Sequence, residues 1–533
     1  MIAAMLYLLL TAVPLPLAWS HAFGGIRWEQ NLDAAAAIDE ARTLGFADAA
    51  RPAFALTRNR AGTLRFLELV IAAFGATLLS STFRSPWRLR YLRFAALLGA
   101  AVAAGGHIGQ WYVPQGDTLW WYLPIAAARP GPVGCFVNRN HFGGFLALLA
   151  PVALTLFVDD LRGRRKLWAA LAATCFGVMA AATVLSLSRG AVLVFGVATL
   201  ATGCLLQFRG ARGPGRAVAG TVLVLGLLVA AIPNPAVRSR LQSLAHPLAT
   251  ASAHTRLSNW RECLRVWPHY PLLGAGANAL RIVFPQSRRT SSGGWLVHAE
   301  NEYIELWVEG GLVGSALAGT LLILAVQRMR RSGASSALPM VLSVGVPAAV
   351  IAAAAHACLD FPLHVPLYAV TLGSLLGLRL APAETATASG APQGAQRMAA
   401  AAAPAVVGLA LIAVLANSVY GAMYRLDSYE FAPLAGPGSL TRAVQWAPTS
   451  WQAWYYLGRV ATAASTADRD PNLYSYGVRC VTRAAEYDPQ NYRLWYQLGM
   501  LRRSLGDHAG AGEAFARATR LRPWLHPPEE AGH

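Results

Sequence analysis

NHFGGFLALLAPVALTLFVDDLRGRRK, residues 140–166, decides the fold class. Between 140 and 158 there is no acid, arginine or lysine, and that length of helix matches the ~30 Å hydrocarbon core of a bilayer. Four basic side chains then close the run, as they do where a spanning helix leaves the membrane on its cytoplasmic side. Similar runs lie near 2–20, 63–82, 92–112, 167–186, 190–208, 216–233, 303–326, 337–357, 364–380 and 400–420, which makes eleven expected spans. The first lacks a basic leader and an A-x-A cleavage site, so it reads as a span rather than a signal peptide. Hydrophobic residues make up 55% of the 533 and charged ones 13%. Such a chain cannot cover itself in polar surface, and lipid must solvate most of it.

The formal charge of +19 points first to a polyanion such as nucleic acid, but the placement of the charges argues otherwise. Of the 45 basic residues, 16 fall in short stretches at 84–93, 158–166, 207–216, 327–334 and 379–397. If the N-terminus is inside, all five stretches lie on the cytoplasmic side, and the tail after 420 lies outside. No nucleic acid is expected as a partner. The cysteines, at 135, 175, 204, 263, 358 and 480, form no CxxC pair and no zinc spacing, so neither a metal nor a disulfide framework is expected. No cofactor is expected either.

Three segments then face outward: 21–62, 234–302 and the tail. In the tail, Trp495, Leu498, Gly499, Ala511, Phe515, Ala518 and Pro523 follow the spacing of a tetratricopeptide repeat. Trp454, Leu457, Gly458, Ala484 and Pro489 repeat it one unit earlier. Stacked hairpins of this kind offer a surface to a protein partner, or simply cap the membrane domain. From Pro233 to His298 there are eight arginines, at 238, 240, 256, 261, 265, 281, 288 and 289, against one acid, Glu262. Arginine's planar fork suits phosphate oxygens, so this excess suggests an anionic ligand, with attraction to lipid headgroups as the alternative. Trp260 and Trp267 fit interfacial anchors better than sugar platforms.

The loop ends in HAENEYIELWVEGGLVG, residues 298–314. It brings His298, Glu300, Glu302, Glu305 and Glu309 to a membrane boundary, where ionisable groups are expensive and suggest function. Helical spacing puts Glu302, Glu305 and Glu309 on one face, suited to lining a wet cleft.

This segment resembles the signature of the O-antigen ligase and polymerase family of bacterial inner membranes. Four further stretches agree in order: GCFVNRNHFGGFLALL (134–149), LSLSRGA (185–191), TRLSNW with PLLGAGAN (255–278), and HACLDFPLHVP (356–366). The resemblance covers about 134–380. It implies a glycosyltransferase that takes glycan from an undecaprenyl-pyrophosphate carrier and passes it to lipid A-core, a growing glycan or a protein. Inverting, metal-independent transfer is the chemistry expected. Arg189 and Arg256 then fall at the family's pyrophosphate positions, with Arg261 and Arg265 as further candidates. Aligned on Asn301, Gly311 and Gly314, the family's catalytic histidine falls on Glu300, and His298 stands two residues earlier. Glu300 is therefore the first candidate for the base and His298 the second. A carboxylate in a partly dehydrated cleft would serve if its pKa were raised, although Arg256 nearby would act in the opposite direction.

Asn138, Arg139, Asn140, His141, Asn301, Asp360 and His364 are candidate contacts for the carrier or acceptor. Asn138 to His141 serve equally well as a cap for the fourth span, and Asp360 with His364 as a structural turn. The expectation is an all-α polytopic membrane protein of about eleven transmembrane helices in the inner membrane, with a C-terminal α-solenoid outside in the periplasm. Its parts would be N-terminal helices over 1–133, a ligase-like core over 134–380, a linker and last span over 381–420, and the repeat domain over 421–533. The alternatives are a flippase for the same lipid-linked sugar and a non-catalytic repeat scaffold of an export complex. Ionisable groups clustered at one surface, rather than along a path through several spans, favour chemistry.

Overall fold

The structure, a computed structural model, describes residues 2–17, 25–47, 53–83, 85–112, 118–119, 123–124, 136, 138–209, 251–289, 296–332, 338–380, 436–468 and 470–525. The chain is an all-α membrane protein. Its helices begin with α1 (Ile2–Ala12), α2 (Gly25–Thr43), α3 (Arg60–Ser81) and α4 (Ser85–Tyr112). They continue with α5 (Arg139–Arg162), α6 (Lys166–Leu185), α7 (Arg189–Phe208), α8 (Ala251–Leu264) and α9 (Leu280–Ser287). After α10 (Glu302–Ser332), a π-helical turn at Val341–Gly345 leads into α11 (Val346–Ala357), followed by α12 (Pro366–Leu380). Of these, α3, α5, α6, α7 and α10 are long and apolar enough to cross a membrane, and α1, α11 with its preceding turn, and α12 are shorter apolar helices.

The run expected to span at 2–20 does not do so as one helix. Its helix stops at Ala12, because Pro14 and Pro16 cannot donate to a continuing ladder. Eleven residues rise only about 16 Å, half a bilayer core. The expected spans at 216–233 and 400–420, and the linker, fall outside the described residues.

Helix α5 is the axis of the bundle. It is apolar on every side, so it is buried rather than amphipathic, with 89% of its spanning window enclosed. Its glycines let neighbours approach. A Cβ at Gly143 would strike Ala191 of α7, and one at Gly144 would strike the His356 ring of α11. Pro151 lacks an N–H, and the Thr155 hydroxyl donates to its carbonyl at 2.6 Å. At the far end of the bundle, buried Asp160 pairs with Arg93 and Arg165, while Asp159 accepts from the backbone of Met340 and Val341. Ends of α3, α5, α7, α10 and α12 meet at the opposite face, where the site lies.

Helix α10 is broken at Gly311, whose φ of 58° and ψ of −158° are not helical. The break frees backbone groups for another segment. The N–H groups of Leu312 and Val313 donate to Pro271 and Leu272, and the carbonyls of Val308 and Glu309 accept from Ala275 and Gly276. Residues 271–276, a turn between α8 and α9, are thus stitched into the gap, with Gly274 and Gly311 in backbone contact.

The tail contains α13 (Pro437–Trp446), α14 (Trp451–Asp468), α15 (Pro471–Tyr487), α16 (Tyr492–Ser504) and α17 (His508–Leu521). Helices α14 and α15 pack as one hairpin, α16 and α17 as the next. In both units a tryptophan indole bonds back to a proline carbonyl six residues earlier, Trp454 to Pro448 at 2.8 Å and Trp495 to Pro489 at 3.0 Å. The hairpins pack against α2, sharing a core of Ala34, Ile38, Leu440, Tyr476 and Tyr487. Ion pairs Arg483–Asp33 (3.0 Å) and Arg288–Asp488 (2.7 Å) join the tail to α2 and to the residue that follows α9.

Candidate functional site

Glu302 and Glu305 open α10, and three loops converge on them. Asn301 caps the helix, its side-chain oxygen accepting from Tyr303 and Ile304, both at 3.1 Å. Its amide donates to the carbonyl of Cys358 at the end of α11 (3.1 Å), which draws the 358–364 turn against the helix start.

His298 lies in the loop just before α10. Its Nδ1 is 2.6 Å from Oε1 of Glu305, whose Oε2 accepts the Ala299 N–H at 3.0 Å. The ring stacks on Phe361, centroids 3.9 Å apart at 17°. Burial, together with the charge of nearby His364, holds the His298 imidazole well below its usual range, so it is neutral near pH 7. With Glu305 ionised beside the His364 charge, its carboxylate only accepts, so Nδ1 carries the proton and Nε2 keeps its lone pair. The side chain is 19% exposed, so one edge is reachable.

His364 stands behind this pair. Its Nδ1 is 3.4 Å from Glu302 and its Nε2 is 3.7 Å from Glu305, while Glu302 also accepts the Leu363 N–H at 2.6 Å. Burial alone would lower its pKa, but the carboxylates of Glu302 and Glu305 outweigh that and raise it to about 10. His364 was a candidate contact for carrier or acceptor, with a structural turn as the alternative. It is enclosed, with 9% of its side chain exposed and both nitrogens facing the glutamates. His298, Glu305 and His364 are the group among the described residues that could hold a metal ion, with ligand atoms within 4.8 Å of one another. His298 Nδ1 is hydrogen-bonded to Glu305, whereas both His364 nitrogens are buried at ion-pair distance only from the two glutamates.

A second histidine adjoins the first. His141 Nε2 meets Asp360 at 3.2 Å, and its ring stands edge-on to Phe361 at 4.6 Å. Burial would raise the Asp360 carboxyl, but the His141 hydrogen bond and charge, with His356 behind, hold it below the usual range. Asn138 caps α5 through Asn140 N–H at 2.9 Å, and Asn140 accepts from the Ser188 hydroxyl at 2.6 Å. Arg139 and Arg189 are the first residues of α5 and α7 at this same end.

Arg256, on α8, meets Glu300 with Nε to Oε2 at 2.5 Å. Arg265 bonds Glu262 at 2.9 Å, and Arg261 is exposed on α8. The three glutamates expected to line a wet cleft are instead buried, Glu302 and Glu305 against His364 and His298. Glu309 accepts from Asn278 (2.7 Å) and Leu280 (2.8 Å), capping α9. Sequence reading passed over Glu305 as the group that orients His298, and over Phe361. The seven-residue step from His298 to Glu305 was the available signal.

Residues 174–319 match the family model described as O-antigen ligase. That segment contains Arg189, Arg256, His298 and Glu300 to Glu309, while His141, Asp360 and His364 lie beyond it. No curated protein matches the chain.

Proposed function

From a chain whose residues 174–319 match the O-antigen ligase family model, we propose a membrane glycosyltransferase that moves glycan from an undecaprenyl-pyrophosphate carrier to an acceptor hydroxyl. The acceptor is lipid A-core or a growing glycan, so the enzyme works as ligase or polymerase in surface polysaccharide synthesis. It sits in the bacterial inner membrane with the site and the tail in the periplasm. The tail, read as tetratricopeptide-like, offers its hairpins to a protein partner.

The observation that carries this reading is the His298–Glu305 pair, a base with its orienting carboxylate, placed two residues from Glu300 and its partner Arg256. Of the two candidates for the base, we place the role at His298. Glu305 fixes its tautomer and leaves Nε2 as the acceptor, whereas the carboxylate of Glu300 is already paired to Arg256. Nε2 takes the proton from the acceptor hydroxyl as that oxygen attacks the anomeric carbon. The anomeric carbon–oxygen bond to the diphosphate breaks, and configuration inverts. Arg256 and Arg189 receive the charge that develops on the departing diphosphate, and no step calls for a metal.

Transfer by the purified protein in nanodiscs, with lipid-linked glycan as donor, tests the assignment. His298→Gln should cost ~10²–10⁴ in rate, the usual share of a general base, with normal folding. Glu300→Gln should retain the rate of transfer in a single turnover, where product release does not count. The reverse pattern moves the base to Glu300, and full activity in both removes this segment from the chemistry.

A further inference from the structure

Glu300 adopts a left-handed backbone conformation, φ 52°, which a residue with a Cβ rarely takes. The neighbours impose it. The Trp260 indole donates to the Ala299 carbonyl at 2.9 Å, Glu305 accepts the Ala299 N–H, and Asn301 is anchored to Cys358. Backbone held in a costly region by its surroundings is characteristic of functional turns. Here the turn presents one carboxylate to Arg256, in a pair that is 29% and 41% exposed. An open pair of this kind contributes little to stability. The loop's other acid, Glu262, differs: it is buried and also accepts the Arg289 N–H at 2.8 Å. Glu262 is structural, whereas Glu300 is accessible and displaceable.

We propose that Glu300 is an internal competitor for the diphosphate site: in the empty enzyme its carboxylate occupies the Nε edge of Arg256, it gives way to the donor, and it returns to expel the lipid diphosphate product. The inference rests on Arg256 receiving the diphosphate, as proposed above. Its chemical basis is the charge difference between the two ligands. The donor is a diphosphate diester, and the product is a monoester with one further ionisable oxygen. Arginines that hold the donor would hold the product more tightly still and stall turnover. A carboxylate on the same guanidinium opposes the more charged ligand more strongly.

The test uses the full-length protein in nanodiscs and measures direct binding of, and inhibition by, a polyprenyl diphosphate. Glu300→Gln should tighten product binding at least about fivefold, the lower end of ordinary coupling between sites. The donor KM should fall by a smaller factor, and kcat should fall as release slows. Glu300→Asn, whose side chain tolerates the left-handed region, repeats the measurement should glutamine disturb the turn. In the Arg256→Gln background the effect of Glu300→Gln should vanish. Unchanged or weaker product binding in both Glu300 variants overturns the inference, provided Arg256→Gln alone weakens binding. If Arg256→Gln leaves lipid diphosphate binding intact, it is the assignment of Arg256, and with it the proposed function, that fails.

Discussion

At the scale of single residues, the site depends on one buried cation. His364 lies between Glu302 and Glu305 with its pKa raised to about 10, against about 6.5 in an unfolded chain. A group raised on folding contributes stability in full below its unfolded value, and that contribution fades as pH climbs through the folded value. His298 behaves oppositely. Held neutral, it costs stability as pH falls through about 6.5, where the unfolded imidazole takes up a proton. Replacing His364 with glutamine leaves two buried carboxylates facing each other, and breaking such a pair costs ~3–5 kcal/mol. Thermal melts in detergent should show this penalty at pH 7 and a smaller one at pH 10, as the wild type loses its own cation. A penalty that stays constant across that range would mean His364 is neutral in the fold. Glu305 would then lose its neighbouring positive charge, and the tautomer assigned to His298 would need another cause.

Among the elements, the break in α10 does the most to build the site. It lets residues 271–276 bond across the helix, which brings the arginine-rich loop beside His298. Two glycines permit it. Gly274 has φ 59° and Gly311 has φ 58°, and a Cβ on either would collide with the other's backbone. Alanine at either position therefore meets both a steric clash and an unfavourable φ, the latter alone worth ~1–2 kcal/mol. Gly274→Ala and Gly311→Ala should both lower the melting temperature and depress glycan transfer. Gly319→Ala is the control, because nothing lies within 4 Å of a Cβ there and its φ is ordinary. In a helix interior alanine is ~1 kcal/mol better than glycine, so that variant should melt at or above the wild type. Equal losses in all three variants would show that the break does not depend on the two contacts.

For the whole molecule, the two ends of the bundle settle which segments must share a side. The site end contains the starts of α3, α5, α7, α10 and α12, and the tail docks there through Arg288–Asp488 and Arg483–Asp33. Arg379, at the close of α12, bonds the Met329 carbonyl near the close of α10, at the far end. The chain therefore leaves α12 at one end and resumes at residue 436 at the other. It makes the same passage between Phe208 and Ala251. Reporter fusions at Gly390 and Gly512 should accordingly score on opposite sides, cytoplasmic and periplasmic respectively. A shared side for the two would contradict both the charge pattern of the loops and the docking of the tail.

The membrane class follows from the sequence by itself, because lipid tolerates only long apolar helices, and five of the expected runs stand as helices of spanning length. The helical pairing of the tail follows too, since its spacing is local and repeats. The first run shows the limit of this reasoning: composition allowed a span at 2–20, while two prolines ended the helix at Ala12. Within the site, periodicity correctly put Glu302, Glu305 and Glu309 on one face of a helix. It could not say what covers that face. Their partners come from three separate segments, the Leu363, Ala299 and Asn278 backbones, and such contacts exist only once the loops are folded over the helix. The glycines of PLLGAGAN and EGGLVG were visible as two motifs, but their meeting depends on hydrogen bonds between residues 271–276 and 308–313. The choice between His298 and Glu300 was likewise tertiary. Alignment weighs position along the chain, whereas basicity depends on what each group is bonded to: Glu305 lies against Nδ1 of His298, while Arg256 donates to the carboxylate of Glu300.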